Sequence, residues 1–259
     1  MKALAARRHH RAAPVVLLLL ALLAMGGVYA AIAPSPASAA TASTADIETG
    51  KKLFQANCAT CHGPSAEGTQ VAPSLVGVGA AAVDFQVSTG RMPMQMDGPQ
   101  AQVKPRQMDE AQTAALAAYV ASLGDGPAIP TDEQVDGSKG DAAHGMALFR
   151  TNCAMCHNAV GAGGALSQGK FAPSLMKTSP RNIYQAMLTG PQSMPVFNDA
   201  NITPEGKRDI IAFLDEQHSG SAGGNPLGGL GPVAEGLWAW VIGLAIMIGG
   251  AIWIGAKSS

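Results

Sequence analysis

The chain has 259 residues, of which 47% are hydrophobic and 14% charged, with a formal net charge of −1 at pH 7. That length accommodates one or two domains plus terminal segments. The near-balanced charge, with no basic run beyond the first residues, carries no footprint of nucleic-acid binding.

Lys2, Arg7, Arg8 and Arg11 precede a continuous apolar stretch from Val15 to Ala33, followed by the small-residue segment Pro34–Ala40. Residues 1–40 therefore read as a signal peptide, with Ala37-Ser38-Ala39 fitting a cleavage site, or as a retained signal anchor. Nineteen apolar residues exceed a signal core of about 7–15 and nearly suffice to cross a bilayer, which favours the anchor.

From 45 to 125 the pattern is that of a small helical unit. A helix bearing Leu53 and Phe54 on its inner face runs into Cys58-Ala-Thr-Cys61-His62. A Gly-rich loop containing Pro73-Ser-Leu75 follows, then a short helix ending at Thr89-Gly90, then Met92-Pro93, then a closing amphipathic helix from about Asp109 to Leu123. Residues 126–140, rich in Gly, Pro and Asp, read as a linker.

Residues 141–218 repeat the unit. Gly50-Lys-Lys-Leu-Phe-Gln-Ala-Asn-Cys58 returns as Gly145-Met-Ala-Leu-Phe-Arg-Thr-Asn-Cys153, and the second motif reads Cys153-Ala-Met-Cys156-His157. Ala72-Pro-Ser-Leu75 returns as Ala172-Pro-Ser-Leu175, Thr89-Gly90 as Thr189-Gly190, and Met92-Pro93 as Met194-Pro195. Thr203 caps the closing helix with Pro204 at its first position. Such matched order marks an internal duplication.

The two Cys-x-x-Cys-His motifs use all four cysteines. Two disulfides, a four-thiolate zinc site or a thioredoxin-like pair each explain paired cysteines, but none explains a histidine directly after the second cysteine, twice. Covalent c-type haem attachment does: two thiols one helical turn apart take the vinyl groups, and the adjacent imidazole binds iron. The expected cofactors are two haem c groups.

Residues 219–232 form a Gly-rich tether, and 233–256 an apolar helix whose uncharged core runs from Leu237 to Ala256. Its length suits the hydrocarbon core of a bilayer, and Trp238, Trp240 and Trp253 near its ends fit the interfacial belts. The basic leader and Lys257 both belong on the cytoplasmic side, which puts everything between the two apolar segments on the outer face of the cell membrane.

Each unit resembles a class I cytochrome c domain, over about 80 residues and with the motifs in the family's order. The resemblance implies an all-α fold of two tandem domains. It makes His62 and His157 the proximal iron ligands, with the carbonyls of Pro73 and Pro173 accepting from their imidazoles. Methionine is common core filler, and Met92, Met94, Met96 and Met108, or Met155, Met176, Met187 and Met194, all lie near a motif. Met92 and Met194 alone combine a following proline, an upstream Thr-Gly and an upstream Pro-Ser-Leu. The resemblance makes them the distal ligands, with Met94 second in the first unit. His9, His10, His144 and His218 read as solvated, and Tyr119 and Phe213 as the aromatics that lie on the first helix of each unit.

With His and Met on each iron, no coordination position is free for a substrate, so the chain conducts electrons and has no substrate site of its own. The order of parts resembles the di-haem cytochrome c subunit of actinobacterial cytochrome bc complexes. That resemblance implies a cytochrome b subunit, a Rieske iron-sulfur subunit and cytochrome c oxidase as partners, besides membrane lipid. A free-standing anchored carrier and the cytochrome subunit of a periplasmic dehydrogenase are the other readings.

Overall fold

The computed structural model describes residues 13–32, 43–96, 98–219 and 232–256. The basic leader with His9 and His10, the segment Pro34–Ala40, the Gly220–Gly231 tether and Lys257 lie outside the described residues. Two compact units divide at Thr41. The first contains α1 (Ala13–Ile32), whose sequence is apolar on every face. All other elements belong to the second unit.

The first repeat is built from α2 (Thr44–Asn57), α3 (Ala59–His62), α4 (Gly79–Ser88) and α5 (Glu110–Ala121). Ser43 opens α2 and Asp109 opens α5, each in a reciprocal capping box with the residue three places on. In this repeat α5 packs on both α2 and α4. Phe54, Val83, Val87, Leu116, Tyr119 and Val120 form the core between them.

Between the repeats, the linker contains α6 (Asp132–Val135), capped by Thr131, and a 3-10 turn at Gly137–Lys139. It is tacked down at both ends. Ala81 N–H donates to Pro127 O at 3.0 Å in the first repeat, and Gln134 Nε2 donates to the Tyr184 hydroxyl at 3.3 Å in the second.

The second repeat follows as α7 (Ala142–Asn152), α8 (Ala154–His157), α9 (Pro180–Thr189) and α10 (Pro204–Ser219). Thr203 Oγ1 accepts from Gly206 N–H at 3.2 Å, the cap that its sequence position implies. One departure from a purely helical unit is a two-stranded antiparallel hairpin, β1 (Gly164–Ala165) with β2 (Phe171–Ala172). It occupies the loop residues by which the second copy exceeds the first.

The closing helix crosses the opening one at the same place in both repeats. Phe54 and Tyr119 meet with ring centroids 5.3 Å apart, as do Phe149 and Phe213 at 5.3 Å, tilted geometries that favour aromatic pairs. Gly50 and Gly145 sit at these crossings, and a Cβ at either would overlap the carbonyl of Ala115 or Asp209. Because backbone cannot yield as a flexible side chain does, Gly145→Ala is expected to cost about 2–3 kcal/mol of stability through overpacking. Guanidinium unfolding of the haem-loaded chain measures it.

The C-terminal α11 (Pro232–Ala256) contains a 21-residue stretch, Gly236–Ala256, with a mean hydropathy of 2.1. It is long and apolar enough to cross a membrane. Within α1 the apolar run Pro14–Val28 is shorter.

Candidate haem sites

In each repeat the opening helix ends at the first cysteine of the motif, and the chain turns directly into a one-turn helix. Cys58 N–H donates to Phe54 O at 2.8 Å and His62 N–H to Cys58 O at 2.9 Å. The second repeat matches, with Cys153 N–H to Phe149 O at 2.8 Å and His157 N–H to Cys153 O at 2.9 Å. One turn therefore separates the two thiols and places the histidine beside them. No disulfide joins any of the four cysteines. Burial, with the neighbouring thiol second, pushes the unattached Cys58 and Cys153 thiols up to about 11.

Both motif histidines are buried. His62 Nδ1 lies 2.8 Å from Pro73 O, and His157 Nδ1 lies 3.0 Å from Pro173 O. A carbonyl only accepts, so Nδ1 carries the proton and the Nε2 lone pair is left for a metal. Burial also holds the His157 imidazole below its ordinary value, against the opposing pull of the Pro173 carbonyl. The neutral ring is the ligating form.

The loop that brings the proline back is the same in both copies. Gly68 N–H donates to His62 O at 2.7 Å, and Gly163 N–H to His157 O at 2.9 Å. Both glycines have positive φ, +86° and +87°, and a Cβ on either would press into the backbone around Ser74 or Ser174. Leu75 and Leu175 then close the loop on Ala66 O and Gly161 O. The Pro-Ser-Leu motif is thus the return limb of a tight loop that aims the imidazole.

Met92 and Cys58 border one hydrophobic cluster; Met194 borders the other, of which Cys153 is a buried member. Of the other candidates, Met176 is also half-buried, and the rest sort differently. Met108 and Met187 are core residues at 7% and 2% exposure, whereas Met94, Met96 and Met155 face solvent, the last at 95%. Met92 and Met194 are half-buried, the condition of a side chain at the wall of a site rather than in the core or in water.

The surroundings fit a haem. Arg91, 8% exposed, has no carboxylate partner among the described residues; its guanidinium stacks 4.7 Å above the Phe85 ring, and burial alone pushes it below its ordinary value. A buried cation calls for an anion, and a haem propionate is one. Arg91 was not singled out by sequence pattern; the signal was its place beside Met92, where the second repeat has Ser193. No group of three or more His, Cys, Asp or Glu among the described residues is arranged to hold a metal ion, so the cysteine pairs do not converge on a zinc site.

His144 and His218 stand apart from both sites. His144 Nδ1 pairs with Asp209 Oδ2 at 2.7 Å, on the opening helix of the second repeat, and His218 lies in the last turn of α10.

Comparison with known proteins agrees with this geometry. Residues 47–124 match the family described as Cytochrome c. Residues 140–214 match the family described as Cytochrome C oxidase, cbb3-type, subunit III. The cytochrome bc1 complex cytochrome c subunit of Corynebacterium efficiens is 47% identical over 255 residues, covering 91% of this chain and 86% of that protein. The protein of the same name from Mycobacterium tuberculosis is 46% identical over 249 residues, covering 92% and 88%. A cytochrome c-553-like protein of Synechocystis is 37% identical over 90 residues, one third of this chain. With two cytochrome c domains in one mostly helical chain, and such identity along nearly its full length, the chain belongs to the family of cytochrome bc1 complex cytochrome c subunits.

Proposed function

We propose that this chain is the two-haem electron relay of a membrane-bound quinol–cytochrome c reductase. It takes electrons from a Rieske iron-sulfur protein and delivers them to a terminal cytochrome c oxidase. The duplicated site carries this reading: two thiols, a proline-oriented imidazole and a half-buried methionine recur in the same order in 45–125 and 141–218.

Cys58 and Cys61 would hold one haem c, with His62 and Met92 binding its iron. Cys153 and Cys156 would hold the other, with His157 and Met194. Bound there, each haem supplies a one-electron iron couple, and thioether ligation raises its potential. The chain's own residues do the rest. Pro73 and Pro173 fix the imidazole planes and tautomers, the flanking cores exclude water, and Arg91 offsets negative charge in the first site.

The C-terminal helix 233–256, with residues 1–40 as a further anchor, holds 45–125, the linker 126–140, 141–218 and the tether 219–232 on the outer face of the cell membrane. Tethering raises the effective concentration of both units toward membrane neighbours such as cytochrome b and the oxidase. Quinol oxidation and proton translocation belong to the complex.

Isolation from membranes in mild detergent tests the assignment. Recovery together with a cytochrome b and a Rieske subunit is expected. Recovery of the chain alone, or with a soluble dehydrogenase, would contradict it in favour of a free-standing carrier or a dehydrogenase subunit.

A further inference from the structure

The two repeats touch through features that are not part of the repeat. Helix α4 of the first packs against α9 of the second. Asp84, the only acid in α4, is 7% exposed there. Its Oδ2 accepts from Arg181 Nε at 3.0 Å and from Gln185 Nε2 at 2.5 Å. Gln185 is itself fully buried, and its Oε1 has no partner. With Thr89-Gly90 aligned on Thr189-Gly190, Asp84 stands where the second repeat has Tyr184, and Arg181 and Gln185 stand where the first has Ala81 and Phe85. Duplication alone would not have made this pair.

A second contact is equally specific to the tandem. The stretch from Met92 to the Asp109 cap is eight residues longer than that from Met194 to Thr203. Gln100, in this extension, reads both backbone groups of Phe171: its Nε2 donates to Phe171 O at 2.9 Å, and Phe171 N–H donates to its Oε1 at 2.9 Å. Beside it, Ala101 N–H donates to Gln192 Oε1 at 3.2 Å. The Met92 loop therefore grips the hairpin of the second repeat and the loop that leads to Met194.

A buried carboxylate with an imperfectly matched amide adds little net stability, because desolvation offsets the attraction. What it fixes is register: the apposition is lost if the helices slide. We propose that Asp84, Arg181, Gln185 and Gln100 are positioning residues that dock the methionine-bearing sides of the two units for internal electron transfer. This rests on the relay described above. Tunnelling falls off exponentially with distance, so the docked fraction of the tandem scales the rate between its two haems.

The test uses the intact complex, with rapid one-electron injection and spectral resolution of the two haems. In Asp84→Ala/Gln100→Ala, transfer between the haems is expected to slow about tenfold as the docked population falls. Haem content and the low-spin spectra should stay as in the parent, and Asp84→Glu should recover part of the rate. Should the double variant not accumulate, Gln100→Ala alone, on the loop surface, is expected to slow transfer with unchanged spectra. Transfer at the parental rate in either variant overturns the clamp. Absence of transfer between the haems in the parent overturns the relay itself and is distinguishable from failure of the clamp alone.

Discussion

Met194→Ala is expected to leave the second haem attached while removing its sixth ligand. On the proposed attachment the haem is held by Cys153 and Cys156, at the end of α7 and in α8, and His157 keeps its bond to Pro173 O. Neither depends on residue 194. Loss of the thioether leaves the iron five-coordinate and high-spin, or open to water, and lowers its potential within the span of about 0.8 V that axial ligands control. Optical and EPR spectra of the purified chain report the spin state. The first haem should be untouched, since Met92 lies in the other cluster. An unchanged low-spin spectrum would move the ligand elsewhere: Met187 is buried in the core and Met155 faces solvent, which leaves the half-buried Met176.

Replacing Cys153 and Cys156 together by Ser is expected to give a chain with one covalent haem, retained through Cys58 and Cys61. The second repeat should also lose much of its stability. Cys153 belongs to its core with Phe149, Tyr184 and Leu214, and a haem held at this motif would lie against that core, so its loss would remove buried apolar contact. Intact mass and the pyridine haemochrome ratio measure stoichiometry, and thermal unfolding measures the second effect. Two haems per chain in this variant would break the one-motif, one-haem correspondence.

The repeated architecture is legible from Cys-x-x-Cys-His outward because each motif states a local geometric requirement. Two thiols need one helical turn, and the imidazole needs a carbonyl brought back by a Gly-containing loop. The glycine at each helix crossing reflects one close approach, Gly50 against the Ala115 carbonyl and Gly145 against that of Asp209. Periodicity marks α2, α7 and α10, which each carry an apolar stripe, whereas the alanine-rich α5 carries none. The hairpin at Gly164–Ala172 is not legible in this way: two residues per strand are too few for an alternating pattern, and the loop reads as Gly-rich coil.

The contact between the repeats was legible only in part. Composition marks 126–140 as a linker, but its attachment through Pro127 and Gln134 depends on partners far away in sequence. Asp84 is a visible anomaly, a lone acid in an apolar helix, yet nothing local identifies Arg181 and Gln185 as its partners. Arg91 is similar. Its neighbour Met92 draws attention first, and only burial without an anion reveals its charge as unmet. Such features arise from non-local pairing, which no single-segment pattern encodes.

The most direct test of the proposed two-haem relay is to follow both haems while the isolated complex, with its oxidase, is supplied with quinol and oxygen. Both are predicted to be reduced when the oxidase is inhibited, and both to reoxidise within a single turnover when it is released. A haem that keeps its redox state while quinol oxidation and oxygen consumption continue would contradict the relay.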